Sequence, residues 1–430
     1  MSVPLHNSNH YFSSNRSVSN GYMNNTDHRM WSAFYRSTYH IRKSDVNLSV
    51  GYNDKVFGAN SFYTSRFPNQ FEKTGTLITQ ASLNIPVGNS LLMPRISYRR
   101  HTDDFVLDRY NRSFYHNEHA TDIYGLELQA RFTSRIGLTA IGGEVTRESI
   151  ESTNLGTHER DKGGLIIEHS LVPISQLFTS FSAYLYNYGE FGWKVSPDIN
   201  ARFQISPKLS LRGSAGWSLR IPTFTDLYYI SPDNLGNPDL HAEEAKSYEL
   251  GIIIKSKWNT EMNLSGFYRL SDNLIDWTRT NEVDLWQVRN VGNISTKGLD
   301  VGLDFRINEW LDSPLLQRVQ LGYGWLQSNR KAGIYEWKYG FGYLQHQIST
   351  KVYMILPLKI RSNLFLRYFD RIDKVDNTIV DMKLSREFKA VEAYTGVTNL
   401  FDREYYETGS VLMPDRWITA GVKISYSGKP

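Results

Sequence analysis

The chain of 430 residues has no cysteine, which excludes a disulfide scaffold, a thiolate metal site and cysteine catalysis. An excess of one charge is also missing. Lys and Arg number 48 against 44 Asp and Glu, a net of +4, so no nucleic-acid partner is implied. Long hydrophobic runs are lacking as well: Leu250 to Ile254 and Leu165 to Ile167 fall far short of the ~20 apolar residues a helix needs to cross a bilayer. The opening MSVPLHNSNHYFSSN has neither the basic start nor the apolar stretch of a secretory signal. With 40% hydrophobic residues and a mean hydropathy of −0.44, hydropathy alone reads as soluble. What the chain does have is aromatic rings, 27 Tyr, 21 Phe and 10 Trp, which excludes intrinsic disorder.

The pattern of the apolar residues contradicts the hydropathy. From Asp45, Val46, Leu48, Val50 and Tyr52 alternate with Asp45, Asn47 and Ser49, the period-two signature of a strand with unlike faces. Leu77, Thr79, Ala81, Leu83 and Ile85 alternate with Gln80, Ser82 and Asn84. The pattern recurs over Leu209 to Arg220, Gln347 to Met354, Val380 to Ser385 and Ile418 to Tyr426. No stretch has convincing helical spacing, so the fold class is all-β.

The connections alternate too. Short turns are expected at Arg42-Lys43, Pro86 to Asn89, Ser134 to Gly137, Ser206 to Lys208, Lys257 to Asn259, Leu356 to Leu358 and Arg386 to Phe388. Long polar stretches fall at Asn53 to Thr74, Thr102 to Ala120, Glu151 to Lys162, Ile221 to Glu244, Ser271 to Arg289, Ser328 to Gln345 and Arg403 to Asp415. This rhythm predicts a transmembrane antiparallel β-barrel of about 20 strands with one tight and one elaborate rim. In Lys208 to Arg220 every charge falls on the polar face, as a lipid-facing Arg would cost roughly 2–4 kcal/mol at the midplane. Trp31, Tyr39, Tyr52, Trp193, Trp258, Trp277, Trp325, Tyr368 and Trp417 suit interfacial girdles. A propeller would show a blade repeat and a sandwich would lack the long/short rhythm. A lumen this wide would hold water or a plug, and the aromatic loops are the natural place to capture a ligand.

Catalytic signals are weak. His116-Asn-Glu-His119, expected in a loop, lacks the H-E-x-x-H spacing and a placed third ligand. Asp103, Asp104 and Asp108 could offer oxygen ligands, but no twelve-residue calcium loop surrounds them. Phosphate loops and a G-x-S-x-G elbow are missing. The expectation is a protein that is not an enzyme, with no cofactor and no metal.

Leu219 to Gly251, LRIPTFTDLYYISPDNLGNPDLHAEEAKSYELG, resembles the barrel of TonB-dependent outer-membrane receptors. Arg220, Pro222, Thr223, Phe224, Asp226, Leu227 and Tyr228 fill its R-x-P-T-F-x-D-L-Y block. Gly236, Asn237, Pro238, Leu240, Glu243, Glu249 and Gly251 fill the block that follows, with Ala242 where a Pro is usual. Asn290-Val-Gly292 with Lys297 to Asp300 resembles the next block, Asp300 replacing the commoner Glu. Val397 to Tyr405, including Asn399, Leu400 and Phe401, and Met413 to Arg416 resemble the closing blocks, with Asp415 in place of a Gly. Thr419, Gly421, Ile424 and Tyr426 resemble the assembly signal of outer-membrane barrels, here followed by Ser427 to Pro430. Ser19 to Asp27 and Gly51 to Tyr63 are similar to the cobalamin-receptor-like branch.

The resemblance implies a 22-strand family barrel in the outer membrane of a Gram-negative bacterium, its partners being membrane lipid and a small solute such as cobalamin or a ferric siderophore. A surface lipoprotein is a further partner it allows. Solute would meet outer loops, with Tyr63, Phe67, Tyr110, Tyr115 and Trp277 as contacts and ordinary loop packing as the competing role. The motif residues Arg220 to Tyr228 are expected to set loop geometry. In the family TonB acts through an N-terminal plug, and plug, TonB box and signal peptide are not seen here. The expectation is therefore a receptor barrel over residues 1–430 without its beginning, through truncation, a shifted start or gene decay. A passive porin-like channel or surface-binding barrel is the alternative, and a secreted polysaccharide-binding protein or hydrolase a more distant one.

Overall fold

A chain that alternates apolar and polar residues suits a sheet with one greasy and one wet face, and the computed structural model is built that way. It describes residues 2–256, 258–329, 335–338, 343–372, 375–407 and 411–426. Lys257, the tail Ser427 to Pro430 and parts of the last two long stretches (330–334, 339–342 and 408–410) lie outside the described residues.

The chain begins with β1 (Ser2–Leu5), β2 (Ser8–Ser19), β3 (His28–Ile41), β4 (Ser44–Gly58), β5 (Phe71–Val87) and β6 (Ser90–Val106). It continues with β7 (His116–Ser134), β8 (Gly137–Ser152), β9 (Gly156–Ile174), β10 (Leu177–Asn187), β11 (Trp193–Ser206) and β12 (Leu209–Arg220). A short helix α1 (Phe224–Tyr228) and a small hairpin, β13 (Ile230–Ser231) with β14 (Asn234–Leu235), interrupt the series. Then come β15 (Glu243–Lys255), β16 (Glu261–Asp272), the hairpin β17 (Ile275–Arg279) and β18 (Trp286–Asn290), and β19 (Ile294–Phe305). Helix α2 (Ile307–Leu311), β20 (Leu316–Ser328), β21 (Glu336–Trp337), β22 (Leu344–Leu356), β23 (Ile360–Arg371), β24 (Asn377–Phe388), β25 (Val391–Thr398) and β26 (Trp417–Ile424) complete it.

Twenty-one of these strands, the first a four-residue stub, form one sheet in which each strand pairs antiparallel with the next long strand. Among the described residues no ladder joins β26 to β1 or β2. The two ends meet at the loop rim, where the Tyr22 hydroxyl donates to the Leu412 carbonyl at 2.6 Å and the Tyr22 and Trp417 rings lie 6.5 Å apart. Register explains the two faces. Ser49, Gln80, Ser97, Gly125, Thr146 and Lys162 stand side by side on one face, and Leu48, Ala81, Ile96, Leu126 and Val145 on the other. The apolar set stays open, Leu126 at 58% and Val145 at 60%, as a surface meant for lipid would. On the inner face Arg212 leans across Gly251 to reach Glu249 at 3.1 Å, and a Cβ at Gly251 would come within 2.6 Å of the Arg212 Nε.

Several connections differ from the sequence expectation. The stretch Glu151 to Lys162 is almost all strand: β8 runs to Ser152, and three residues suffice before β9. Thr102 to Ala120 narrows to a loop of 107–115. These strand ends carry charge on the outer face, Arg147 to Asp161 at 2.8 Å among them, so apolar alternation stops while the ladder continues. The expected turn at Arg386 to Phe388 lies inside β24, and the chain turns at 389–390. Two five-residue helices stand where no helical spacing was read. Helix α1 is held by a capping box in which Thr223 and Asp226 exchange side-chain to backbone bonds.

Candidate functional site

Buried apolar clusters gather at the long-loop end. Leu227, Leu240, Ile275, Trp277 and Val288 form one, and Ile150, Leu155 and Phe224 another. They fix the loop Ile221 to Ala242 and the β17–β18 hairpin. Arg220 is the hub of this packing. Its Nε donates to Glu243 at 3.1 Å, its Nη1 to Asp226 at 3.2 Å and its Nη2 to the Ile275 carbonyl at 3.3 Å. Glu243 and Asp226 are both buried, so the guanidinium neutralises two enclosed carboxylates.

The other motif residues do similar work. The Pro222 carbonyl accepts from Arg160, whose guanidinium lies 4.8 Å over the Phe224 ring. Tyr228 stacks flat on His158 at 3.8 Å. Gly236 passes so near Leu227 and Tyr229 that a Cβ would stand 2.8 Å from the Tyr229 nitrogen. Asn237, just ahead of Pro238, donates its backbone N–H to the Asp226 carbonyl at 2.9 Å and its amide to the Val288 carbonyl at 3.2 Å. Asn290 ties His241 to Asn273 in the same way. Near the chain end Asn399, fully buried with φ 50°, bridges Asp381, Arg403 and Pro414. Leu400 donates to the Val380 carbonyl at 2.7 Å, whereas Phe401 stays exposed.

Above this packing lies a cavity of about 770 Å³, open toward the loop rim. Its rings include Tyr63, Phe105, Tyr115, Tyr229, Trp277 and Trp286. Its charged wall brings together Arg66, Arg279 and Lys338 with Asp233, Glu282 and Asp284. Arg66 spans to Asp233 at 2.8 Å, Lys338 donates to Asn234 at 2.9 Å, and the Arg279 guanidinium lies 4.5 Å over Trp286. The Lys338 ammonium stands 5.6 Å from the Trp277 ring and 5.8 Å from Trp286. Enclosure in this wall lowers Lys338 to about 8, with Asp233 and Asp276 pulling upward and Arg279 downward. Enclosure also raises the Tyr229 phenol, helped by its bond to Tyr115, and raises Tyr63, whose hydroxyl donates to Glu72 at 2.5 Å.

Of the five expected contact residues, three line the cavity: Tyr63, Tyr115 and Trp277. Trp277 is 8% exposed and belongs to the loop core, not to an interfacial girdle. Phe67 instead packs on Phe114 at 5.7 Å, and Tyr110, 72% exposed, is not among the residues that line the cavity. Sequence reasoning missed Tyr229, Trp286, Arg279 and Lys338. Tyr229 directly follows the motif and Trp286 lies in an aromatic loop already singled out, whereas Lys338 had no local signal.

The His116 to His119 pair lies in β7, not in a loop, and its histidines face opposite sides of the sheet. His119 bonds Ser152 at 2.7 Å and lines the cavity, while His116 bonds Asp104 at 2.9 Å on the outer face. Asp104, His116 and Glu118 come close enough to hold a metal ion. Arg112 already sits among them, 2.9 Å from Asp104 and 2.8 Å from His116, supplying the positive charge.

Comparison with known proteins bears on the whole chain. Residues 3–400 match the family model described as TonB dependent receptor-like, beta-barrel. A vitamin B12 transporter, BtuB, from Vibrio vulnificus is 25% identical over 210 residues, 45% of this chain and 30% of that protein. The BtuB of Photobacterium profundum is 27% identical over 175 residues, 39% of this chain and 28% of its own length. The match thus spans under a third of these relatives. Among solved structures, the siderophore receptor PirA from Pseudomonas aeruginosa gives a TM-score of 0.77 at 14% identity, over 99% of this chain and 76% of that one. The ferric enterobactin receptor PfeA from the same organism gives 0.78 at 12%, over 98% and 76%.

Proposed function

Because this chain belongs to the TonB dependent receptor-like β-barrel family, we propose that it is the loop-bearing barrel of an outer-membrane uptake receptor. Its cargo is a scarce solute of the cobalamin or ferric-siderophore kind. The observation that carries this reading is the cavity at the loop rim, with six aromatic side chains on its walls and Arg66, Arg279 and Lys338 set among Asp233, Glu282 and Asp284. Rings supply contact area at low entropic cost, and the mixed charges on the wall offer both donors and acceptors to a polar solute. The loops are braced by buried ion pairs and small cores, so the cavity is largely formed before solute arrives. Capture, not bond-making, is the chemistry assigned to it.

Within this proposal the barrel is a rigid sleeve. Energy for release into the lumen comes from TonB acting through a plug, and the polar inner face is suited to packing against one. The test is an equilibrium titration of the protein in detergent with cyanocobalamin and with ferric catecholate and hydroxamate chelates, read by tryptophan fluorescence. One class should bind at least about 10-fold more tightly than the others, and Trp286→Ala should weaken that class by about 10-fold. Equal and weak binding of all three would refute the assignment of the cavity.

A further inference from the structure

The floor of the solute cavity is built from the loop ends of β5, β6 and β7. Charged Asp104 and Asp122 on the outer face mark strand that has left the bilayer there. Register sets Thr74, Asp103 and His119 in one row across the inner face, with Thr76, His101 and Thr121 in the row beneath. His101, Asp103, His119 and Thr121 all line the cavity. Each histidine spends Nδ1 on a hydroxyl, His101 on Thr76 at 2.8 Å and His119 on Ser152 at 2.7 Å. Asp103 has no such neighbour. Among the described residues it has no ion pair, and its Oδ1 is shut from water without a hydrogen bond. Glu72, also buried, accepts from the Tyr63 hydroxyl at 2.5 Å.

Charge around the cavity is therefore unevenly met. Arg66 faces Asp233 at 2.8 Å and Arg279 faces Glu336 at 2.6 Å, so these cations of the upper wall have their acids. Glu282 and Asp284 stand in water. On the floor, burial holds His101 and His119 below the ordinary histidine value, so neither supplies positive charge at neutral pH. Burial also raises Glu72, and it lifts Asp103 to about 7 with Glu72 and Asp104 adding to the shift. Tyr63 and Lys55 pull Glu72 back, whereas no cation among the described residues does so for Asp103. An enclosed carboxyl without a partner is unfavourable, and the cavity is the side from which a partner can arrive.

We propose that Asp103 is a specificity-determining residue of the cavity, and that the end of the solute reaching the floor bears an ammonium group. This deepens the reading of the cavity as a solute site and rests on it. A protonated amine brings three N–H donors together with the positive charge that the floor lacks. The Asp103 carboxylate accepts one of them as a charge-assisted bond. The Nε2 atoms of His101 and His119 can accept others when each Nδ1–H is given to its hydroxyl. A neutral amide brings an N–H but no charge. A carboxylate or catecholate brings charge of the wrong sign toward two buried acids, Asp103 and Glu72.

The test is an equilibrium titration of the full chain in detergent with three forms of one linear ferric trihydroxamate. One ends in a free ammonium, one in the N-acetyl amide and one in the N-succinyl carboxylate, so iron coordination is constant and only the terminal charge varies. The ammonium form should bind about 10-fold more tightly than the acetyl form, with the succinyl form weakest. Asp103→Asn should reduce that preference to about twofold or less and leave affinity for the acetyl form within about twofold, a split that general damage to the site would not give. Asp103→Ser serves as a second variant, each checked for heat-modifiable migration on gels, and the wild-type series stands without them. Equal affinity for the three forms, or an undiminished preference in a folded Asp103 variant, overturns the inference and leaves the receptor reading intact. So does tighter binding of cyanocobalamin or a ferric catecholate than of the ammonium chelate. Failure to bind any of these solutes overturns the receptor reading itself.

Discussion

Arg220 shows how one side chain can hold a loop in place. It bonds two buried carboxylates and a carbonyl that lies 55 residues away in sequence. Arg220→Gln should leave Asp226 and Glu243 enclosed without their cation and cost on the order of 1–3 kcal/mol, discounted because the guanidinium is partly exposed. Faster proteolysis within 221–242, with the barrel strands still protected, is the expected readout. Lys338 makes the opposite case, a cation held where charge is disfavoured. Its folded value of about 8 lies below the 10.5 of a free lysine, so between pH 8 and 10.5 the unfolded chain binds the extra proton. Stability should therefore rise with pH across that window, while affinity for an anionic solute falls as the ammonium is lost. Lys338→Met should flatten both slopes, measured by thermal melting and by solute titration at pH 7 and 9.

Elements carry the next set of constraints. The tight connection Pro357–Lys359 between β22 and β23 places Leu358 at φ 62° and Lys359 at φ 58°. Two consecutive left-handed residues suit a primed hairpin turn, where Asn-Gly is preferred and Leu-Lys is not. Leu358→Asn with Lys359→Gly should stabilise the protein by about 1–2 kcal/mol, read as a higher urea midpoint for unfolding from micelles. The β13–β14 hairpin is sensitive in the reverse sense. Gly236→Ala would push a methyl group into the Leu227 and Tyr229 backbone and should destabilise the mouth by about 1–3 kcal/mol. Hydrogen exchange should then quicken at Tyr229 and Asn237 and stay unchanged in β22 to β25.

At the scale of the whole molecule, the central assertion is that one sheet face meets lipid and the other encloses the lumen. Leu126 and Gln80 test it as a pair, since both lie mid-strand on opposite faces. Leu126→Arg should cost roughly 2–4 kcal/mol in vesicles, whereas Gln80→Arg should stay within about 1 kcal/mol. Reversal of that order, or equal costs, would refute the assignment of faces. Among the described residues no ladder joins β26 to β2, and the two ends of the sheet are in contact at Tyr22, Leu412 and Trp417.

The all-β class, the two-faced strands and the tight and elaborate rims were legible in the sequence, because side chains that alternate between lipid and water impose a period of two on local text. For Arg220 to Tyr228 the sequence suggested a part in loop geometry, and in the structure Arg220 bonds Glu243, Asp226 and the Ile275 carbonyl within that loop packing. Strand ends beyond the bilayer were not: water lies on both sides there, so the period vanishes although the hydrogen bonds continue through β8 and β9. The cavity was half legible. Tyr63, Tyr115 and Trp277 stood out as loop aromatics, but so did Phe67 and Tyr110, which do not line it. Only tertiary structure could choose among them, since Lys338, Trp286 and Tyr229 come together across more than a hundred residues of chain and no local pattern encodes such a meeting.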